Sequence, residues 1–418
     1  MPITRFRREE TPTLIRFLAD RCGGVAPILG LRLVPLLGAV GAAVDYSRAG
    51  AIRTAMQAAL DATALTLAKQ NASGDALNQS ATNLFNANFV RTGVQDVQVS
   101  GSSSPASGGS TVSLSAGGAV RTHFMRIFGF ATVPINTSAT TVAQADGLGC
   151  VLALDSTASG SVTGQGSTTV DLKGCSLYDN SNSPTAVSVG GSAKISALSV
   201  GVVGGVAPGS YGLTTDQGIH TGMGVIADPY KDDAFPPVGA CTDNNFKAKD
   251  AVTINPGVYC GGMTVNVGAT VTLNPGIYYL DGGDLSLNGG ATLTGTGVTL
   301  VFTSHNRNDY ATASINGNGT LNLTAPQSGP TAGIVMFGDR NMPVGTSFKL
   351  NGSSSQYLGG AVYVPTGAIQ YAGGAATSTT CTQLIGNTVT FTGNSSVSVN
   401  CSSYKTKPFS AWIVRLTS

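Results

Sequence analysis

Apolar and polar positions change their period twice along this chain. From Val25 to Val44 the only polar side chain is Arg32, and a helix over these residues is about 30 Å long, the thickness of a hydrocarbon core. A core helix of a soluble domain carries a polar face, so the run predicts a membrane span over 25–44, marked by Val25, Leu29, Arg32, Pro35, Leu37 and Val44. Arg32 at mid-span costs about 2.5–3.5 kcal/mol. It lies close enough to Gly24 to snorkel toward that surface, and the surrounding Leu and Val side chains offset the cost at up to ~0.6 kcal/mol each. Pro27 falls in the first turn, and Pro35 is expected to kink the helix. Beyond the span, Ile52, Met56, Ala59, Leu60, Thr63 and Leu67 recur at three- and four-residue steps. They predict a helix with one buried stripe that runs to about Lys69, pauses over 71–75 and resumes to about Phe89.

The period then drops to two. Val94 to Val99, Thr111 to Leu114 and Thr140 to Ala143 alternate apolar with polar, as half-buried antiparallel strands do. From Leu148 onward the alternation is cut into short runs by Gly and Asn corners. Asn255-Pro256-Gly257-Val258-Tyr259 returns as Asn274-Pro275-Gly276-Ile277-Tyr278, nineteen residues later. A period near 20 with Gly/Asn corners predicts a β-solenoid resembling a right-handed β-helix, with inward Val, Leu and Ile stacked from coil to coil. Residues 305–309 and 372–380 read as insertions into coils. A β-sandwich is the alternative. The predicted class is therefore mainly β. The expected division is a basic tail (1–24), a span (25–44), a stalk helix with a small α+β region (45–146), and a Gly-rich β body (147–418).

Composition sharpens this picture. Charged residues are 11%, Gly is 56 of 418, and net charge is +2 with no basic stripe after the N-terminus, so nucleic acid is not an expected partner. Arg5, Arg7, Arg8, Arg16 and Arg21 precede the span and Arg48 and Arg53 follow it, which predicts a cytoplasmic N-terminus and an exported body. A cleaved signal peptide is the competing reading, with Gly41 and Ala43 before a cut at Val44. The long apolar run and the continuing helix favour a retained anchor. Of seven cysteines, Cys22 precedes the span. The other six fall into neighbouring pairs, Cys150 with Cys175, Cys241 with Cys260 and Cys381 with Cys401, a pairing taken from proximity alone among the fifteen that six cysteines allow. Each closes a loop for which a disulfide contributes roughly 3 kcal/mol in the chain-entropy model, and an oxidising compartment suits them.

Residues 20–69 resemble the N-terminal segment of TadG-like proteins of the tight-adherence (Flp) pilus-assembly systems. The shared features are the basic flank, Gly23-Gly24, Val25-Ala26-Pro27, Val34-Pro35-Leu36-Leu37, Ala43-Val44-Asp45-Tyr46 and Ala58-Ala59-Leu60-Asp61-Ala62. FMRIFGF, residues 124–130, is similar to a later stretch of such proteins. The resemblance implies a bacterial inner-membrane component with an exported body, laid out like a pseudopilin. It implies the lipid bilayer and other pilus-assembly proteins as partners. Leu29 stands where a prepilin-type site after Gly24 has Glu, so processing there is not expected.

The chemistry-bearing motifs are weak. Asp155, Thr157 and Ser159 loosely match a metal-adhesion motif, but strand and turn follow where that fold needs a helix. Asp281 with Asp284, and Asp228 with Asp232 and Asp233, are the carboxylate groups that a polysaccharide-degrading enzyme would use. The first reads as a polar corner and the second as a solvated Pro-rich loop. His123, His220 and His305 are far apart, and no phosphate loop or serine-hydrolase elbow is present. No catalytic residue, metal or cofactor is expected. The expected role is structural, with adhesion to surface glycans or catalysis on a polysaccharide as alternatives.

Overall fold

The computed structural model describes residues 25–69, 74–106, 109–315, 318–352, 356–373, 381–398, 401 and 404–417. The tail 1–24 with Cys22, most of the pause at 70–73 and most of the insertion at 374–380 lie outside the described residues. The chain divides into two compact units, Met1–Ala143 with Val414–Ser418, and Gln144–Ile413.

In the first unit, helix α1 spans Val25–Lys69 and runs unbroken through Pro35, and helix α2 spans Gly74–Asn88. The strands Val94–Ala106 and Gly109–Arg121 form an antiparallel hairpin, Thr132–Asp146 follows, and Ala411–Leu416 returns from the far end of the chain as the fourth strand. The core follows from two periodicities. Ile52, Met56, Leu60, Thr63 and Leu67 form one face of α1, and Leu77, Ala81 and Phe85 one face of α2. They pack on alternate strand positions Val112, Leu114, Ala116, Ile135, Ala139 and Ala143. Fully burying a Leu, Met or Phe contributes about 1.5–3 kcal/mol, so this stripe holds the second half of α1 to the sheet. The first half contributes almost nothing to that core.

The second unit is built mostly from short strands, with two long ones at Tyr357–Gly373 and Thr382–Ser398, and its described pairings are all parallel. Through most of the unit a strand pairs with the one three further along, as Thr292–Thr296 does with Thr320–Thr324. One ladder of inward positions runs Ala248, Val265, Leu287, Ile315, Leu350, Tyr371, Phe391, Gly164 and Val189. Parallel pairing disagrees with the antiparallel β-sandwich held as the alternative.

The order of stacking is not the order of sequence. The C-terminal strand Thr382–Ser398 lies in register on Gly149–Ala153, Val162–Gly164 and Thr169–Lys173, with Leu384 beside Val151 and Phe391 beside Gly164. The body thus begins in the middle of its own stack. From there the parallel pairings lead forward to Ile219–Thr221, and those that start at Asp243–Ala248 lead forward to Thr382–Ser398.

The NPG repeat is a structural unit. Tyr259 Oη donates to the Asn255 carbonyl at 2.7 Å and Tyr278 Oη to the Asn274 carbonyl at 2.8 Å. The two rings stack at 5.9 Å, and Asn274 Nδ2 donates to Asn255 Oδ1 at 2.8 Å. Register follows the nineteen-residue step up to Ile254 beside Leu273, then slips, so that Gly257 faces Tyr278. Gly276 has φ +143°, and a Cβ there would stand 2.3 Å from the Pro256 ring. Only glycine meets both conditions.

The structure joins Cys150 to Cys175, Cys241 to Cys260 and Cys381 to Cys401, with Cα separations of 5.7, 5.6 and 4.7 Å.

Candidate functional site

Helix α1 changes character between Gly38 and Asp45. Leu29, Arg32, Pro35, Leu37 and Val44 are exposed, as are Leu31 and Leu36, whereas the side chain of Val25 lies outside the described set. Asp45 is only 3% exposed, and from there Ala49, Ile52 and Met56 are buried.

Asp45 reaches the segment that carries FMRIFGF. Its Oδ1 accepts the His123 N–H at 2.9 Å, and its Oδ2 accepts those of Phe124 and Met125 at 2.8 Å each. Those donors open the 3₁₀ turn Met125–Phe128, which has no side-chain cap from its own N-cap residue, Phe124. A carboxylate far upstream thus acts as the cap, where a negative charge is favoured. Burial works to raise the Asp45 pKa, but the three N–H donors prevail and hold it below its ordinary value. Arg48, one turn further on, donates to His123 Nδ1 at 2.7 Å. A guanidinium has no acceptor, so the imidazole nitrogen accepts.

Two glycines seat the other side of this segment. A Cβ on Gly41 would fall 2.5 Å from Phe124 Cβ, and one on Gly38 2.9 Å from Phe128 Cζ. Gly38 and Gly41 are one helical step apart on the same face, so together they form a notch for the two rings. The sequence reading placed Asp45 and residues 124–130 separately and did not join them. The available signal was that Asp45 is the first carboxylate after the apolar run.

The fold and this junction define a class: a helix long and apolar enough to cross a membrane, clasped where it enters a β-rich head. Residues 23–68 match the Tad family model, described as Flp pilus-assembly TadE/G-like. The match covers the apolar run, Asp45, Arg48 and the buried stripe of α1. With the apolar helix it points to a membrane-anchored protein whose role is related to Flp pilus assembly. Comparison with curated proteins and with solved structures found no match.

The other motifs serve the fold. Asp155 Oδ1 accepts the N–H groups of Thr157 and Ala158 at 2.8 and 2.7 Å, and Oδ2 accepts Asn387 Nδ2 at 3.0 Å. This is a turn and a tie across the sequence-distant seam, and among the described residues no group of three His, Cys, Asp or Glu could hold a metal ion. Asp281 accepts the His305 N–H at 2.5 Å, and Asp284 accepts Thr312 N–H and Oγ1 at 2.8 Å each, so the two carboxylates anchor different points of the 305–312 loop.

The loop around Asp228, Asp232 and Asp233 departs from the sequence reading in part. Lys231, Asp232 and Ala234 are exposed, but Asp228 and Asp233 are half-buried and the loop is strapped to the body. Tyr230 is fully buried, and Phe235 meets Phe337 edge to face at 5.3 Å. Arg340 donates to the carbonyls of Tyr230 and Asp233 at 2.6 and 2.9 Å, and to Tyr363 Oη at 3.1 Å. Tyr363 in turn donates to Asp228 Oδ2 at 2.7 Å, and Lys407 pairs with Asp233. The strap lies in the connection between Ile219–Thr221 and Asp243–Ala248, and its backbone groups need partners because it lies on the body.

Asp179 is expected to make stability depend on pH. It is 1% exposed, and burial lifts its pKa to about 6 against the Ser161 hydroxyl and the Ser181 N–H, which favour the ion. Its ordinary value is 3.8, so on raising pH the unfolded chain ionises first. Stability is therefore full below about pH 4 and declines toward pH 6, by roughly 3 kcal/mol. Asp179→Asn is expected to remove this decline. Thermal melts of both proteins between about pH 4 and 7 check it, and parallel profiles would count against a raised pKa.

Proposed function

We propose that this chain is a non-catalytic, membrane-anchored structural component of a Flp-type pilus-assembly apparatus. The observation that carries the reading is the largely uncovered apolar helix of residues 28–44, lying within the family-matched segment and continuing directly into a packed head. In this reading residues 1–24 are a cytoplasmic tail and 25–44 a single inner-membrane span. Residues 45–146 are the stalk with its small sheet, and 147–418 a body exposed in the periplasm or beyond. The arginine excess before the span supports that orientation. The parallel ladders support reading the body as a β-solenoid, and the strong right-handed preference of parallel crossovers supports its hand. The span and α1 dock among similar helices of the apparatus, while the disulfide-braced body presents a rigid surface for assembly.

The test is deletion of the gene with complementation. Loss of piliation and of biofilm, restored by the full chain and not by one lacking residues 25–44, is the expected result. Unchanged piliation on deletion overturns the assembly role.

A further inference from the structure

We propose that residues 124–130 are a second membrane contact, a wedge seated at the boundary of headgroups and acyl chains beside the span. The proposal rests on reading α1 as a retained span. The loop leaves Phe124, Ile127, Phe128 and Phe130 exposed at 48, 79, 52 and 60%. That is a dense apolar patch for a chain in which most large apolar side chains are covered.

Its position names the occupant. The Phe128 ring lies against Gly38, about six residues and so roughly 9 Å of helix rise before Val44, inside the apolar run. A ring at that depth sits where lipid surrounds the helix, and interfacial segments bury their apolar faces about 5–10 Å into this region. The backbone is prepared for such a place. His123, Phe124 and Met125 donate their N–H groups to Asp45, Ile127 to the Phe124 carbonyl, Gly129 to that of Arg126, and Phe130 to that of Met125. Satisfied donors are what lipid contact demands. Arg126 can run its stem through the apolar layer and hold its charge among the headgroups. The clasp at Asp45 then has a clear effect. It fixes the wedge to the helix, so that helix and loop together set how far the head stands from the bilayer.

The test uses the full chain in vesicles of phosphatidylethanolamine and phosphatidylglycerol with brominated acyl chains. Three variants are made in a Trp412→Phe background: Leu33→Trp, Phe128→Trp and Ile127→Trp. The last changes a side chain with few contacts and so guards against misfolding. The indole at 33 reports the span, and its failure to be quenched by bromolipid would remove the anchor on which the proposal rests. With that position quenched, indoles at 127 and 128 are expected to be quenched to within about twofold of it and shielded from aqueous iodide. Quenching by iodide and not by bromolipid would overturn the wedge. Shielding from both quenchers would also overturn it, and would place another protein segment or a second copy of this chain on the loop.

Discussion

Leu33→Arg combined with Leu37→Arg is expected to shift the protein from the membrane fraction to the soluble fraction. Each arginine near mid-span costs about 2.5–3.5 kcal/mol on insertion scales, and each lost leucine removes up to ~0.6 kcal/mol more. The proposed span already carries Arg32, so little margin remains. Neither leucine is covered by the rest of the protein, 47 and 58% exposed, and the buried stripe that holds the head begins at Ala49. The head should therefore keep its fold, and resistance of the body to limited proteolysis checks that it does. Fractionation with an alkaline wash is the decisive measurement. Retention of the double variant in washed membranes would show that attachment does not run through residues 25–44.

Phe391→Ala is expected to destabilise the body by about 3–5 kcal/mol, the usual cost of deleting a buried aromatic ring. Phe391 is fully buried and sits in the inward ladder with Tyr371 on one side, their rings 6.4 Å apart, and Gly164 on the other. Glycine offers no side chain to fill the gap, and its neighbour Ile195 would have to move. The loss falls on the seam where residues 382–398 meet 149–173. Hydrogen exchange should consequently rise first in those two segments, while strands 257–281 keep their protection until global unfolding. A uniform rise across the body would mean that the seam is no weaker than the rest of the stack.

Much of the local structure was legible in the sequence. The three- and four-residue steps of Ile52, Met56, Leu60 and Leu67 sufficed for α1, since helix geometry puts those positions on one face whatever they pack against. The NPG repeat was legible for a similar reason: each copy makes its own Tyr-to-Asn bond within five residues. Register was harder. The slip after Ile254 and Leu273 depends on where the next strand lands, which no local spacing encodes.

The sequence by itself determined what depends on near neighbours: the apolar run and its length, the stripe of α1, the alternation of the small sheet and the corners of the body. Tertiary structure alone decided what joins distant residues. It put Ala411–Leu416 into the first unit's sheet, set Thr382–Ser398 against strands that begin at Gly149, and turned the Asp228–Phe235 loop into a strap. It also brought Asp45 to the N–H groups of residues 123–125. The physical reason is common to all four. A backbone amide or a carboxylate must find a partner, but hydrogen bonding does not specify how far along the chain that partner lies.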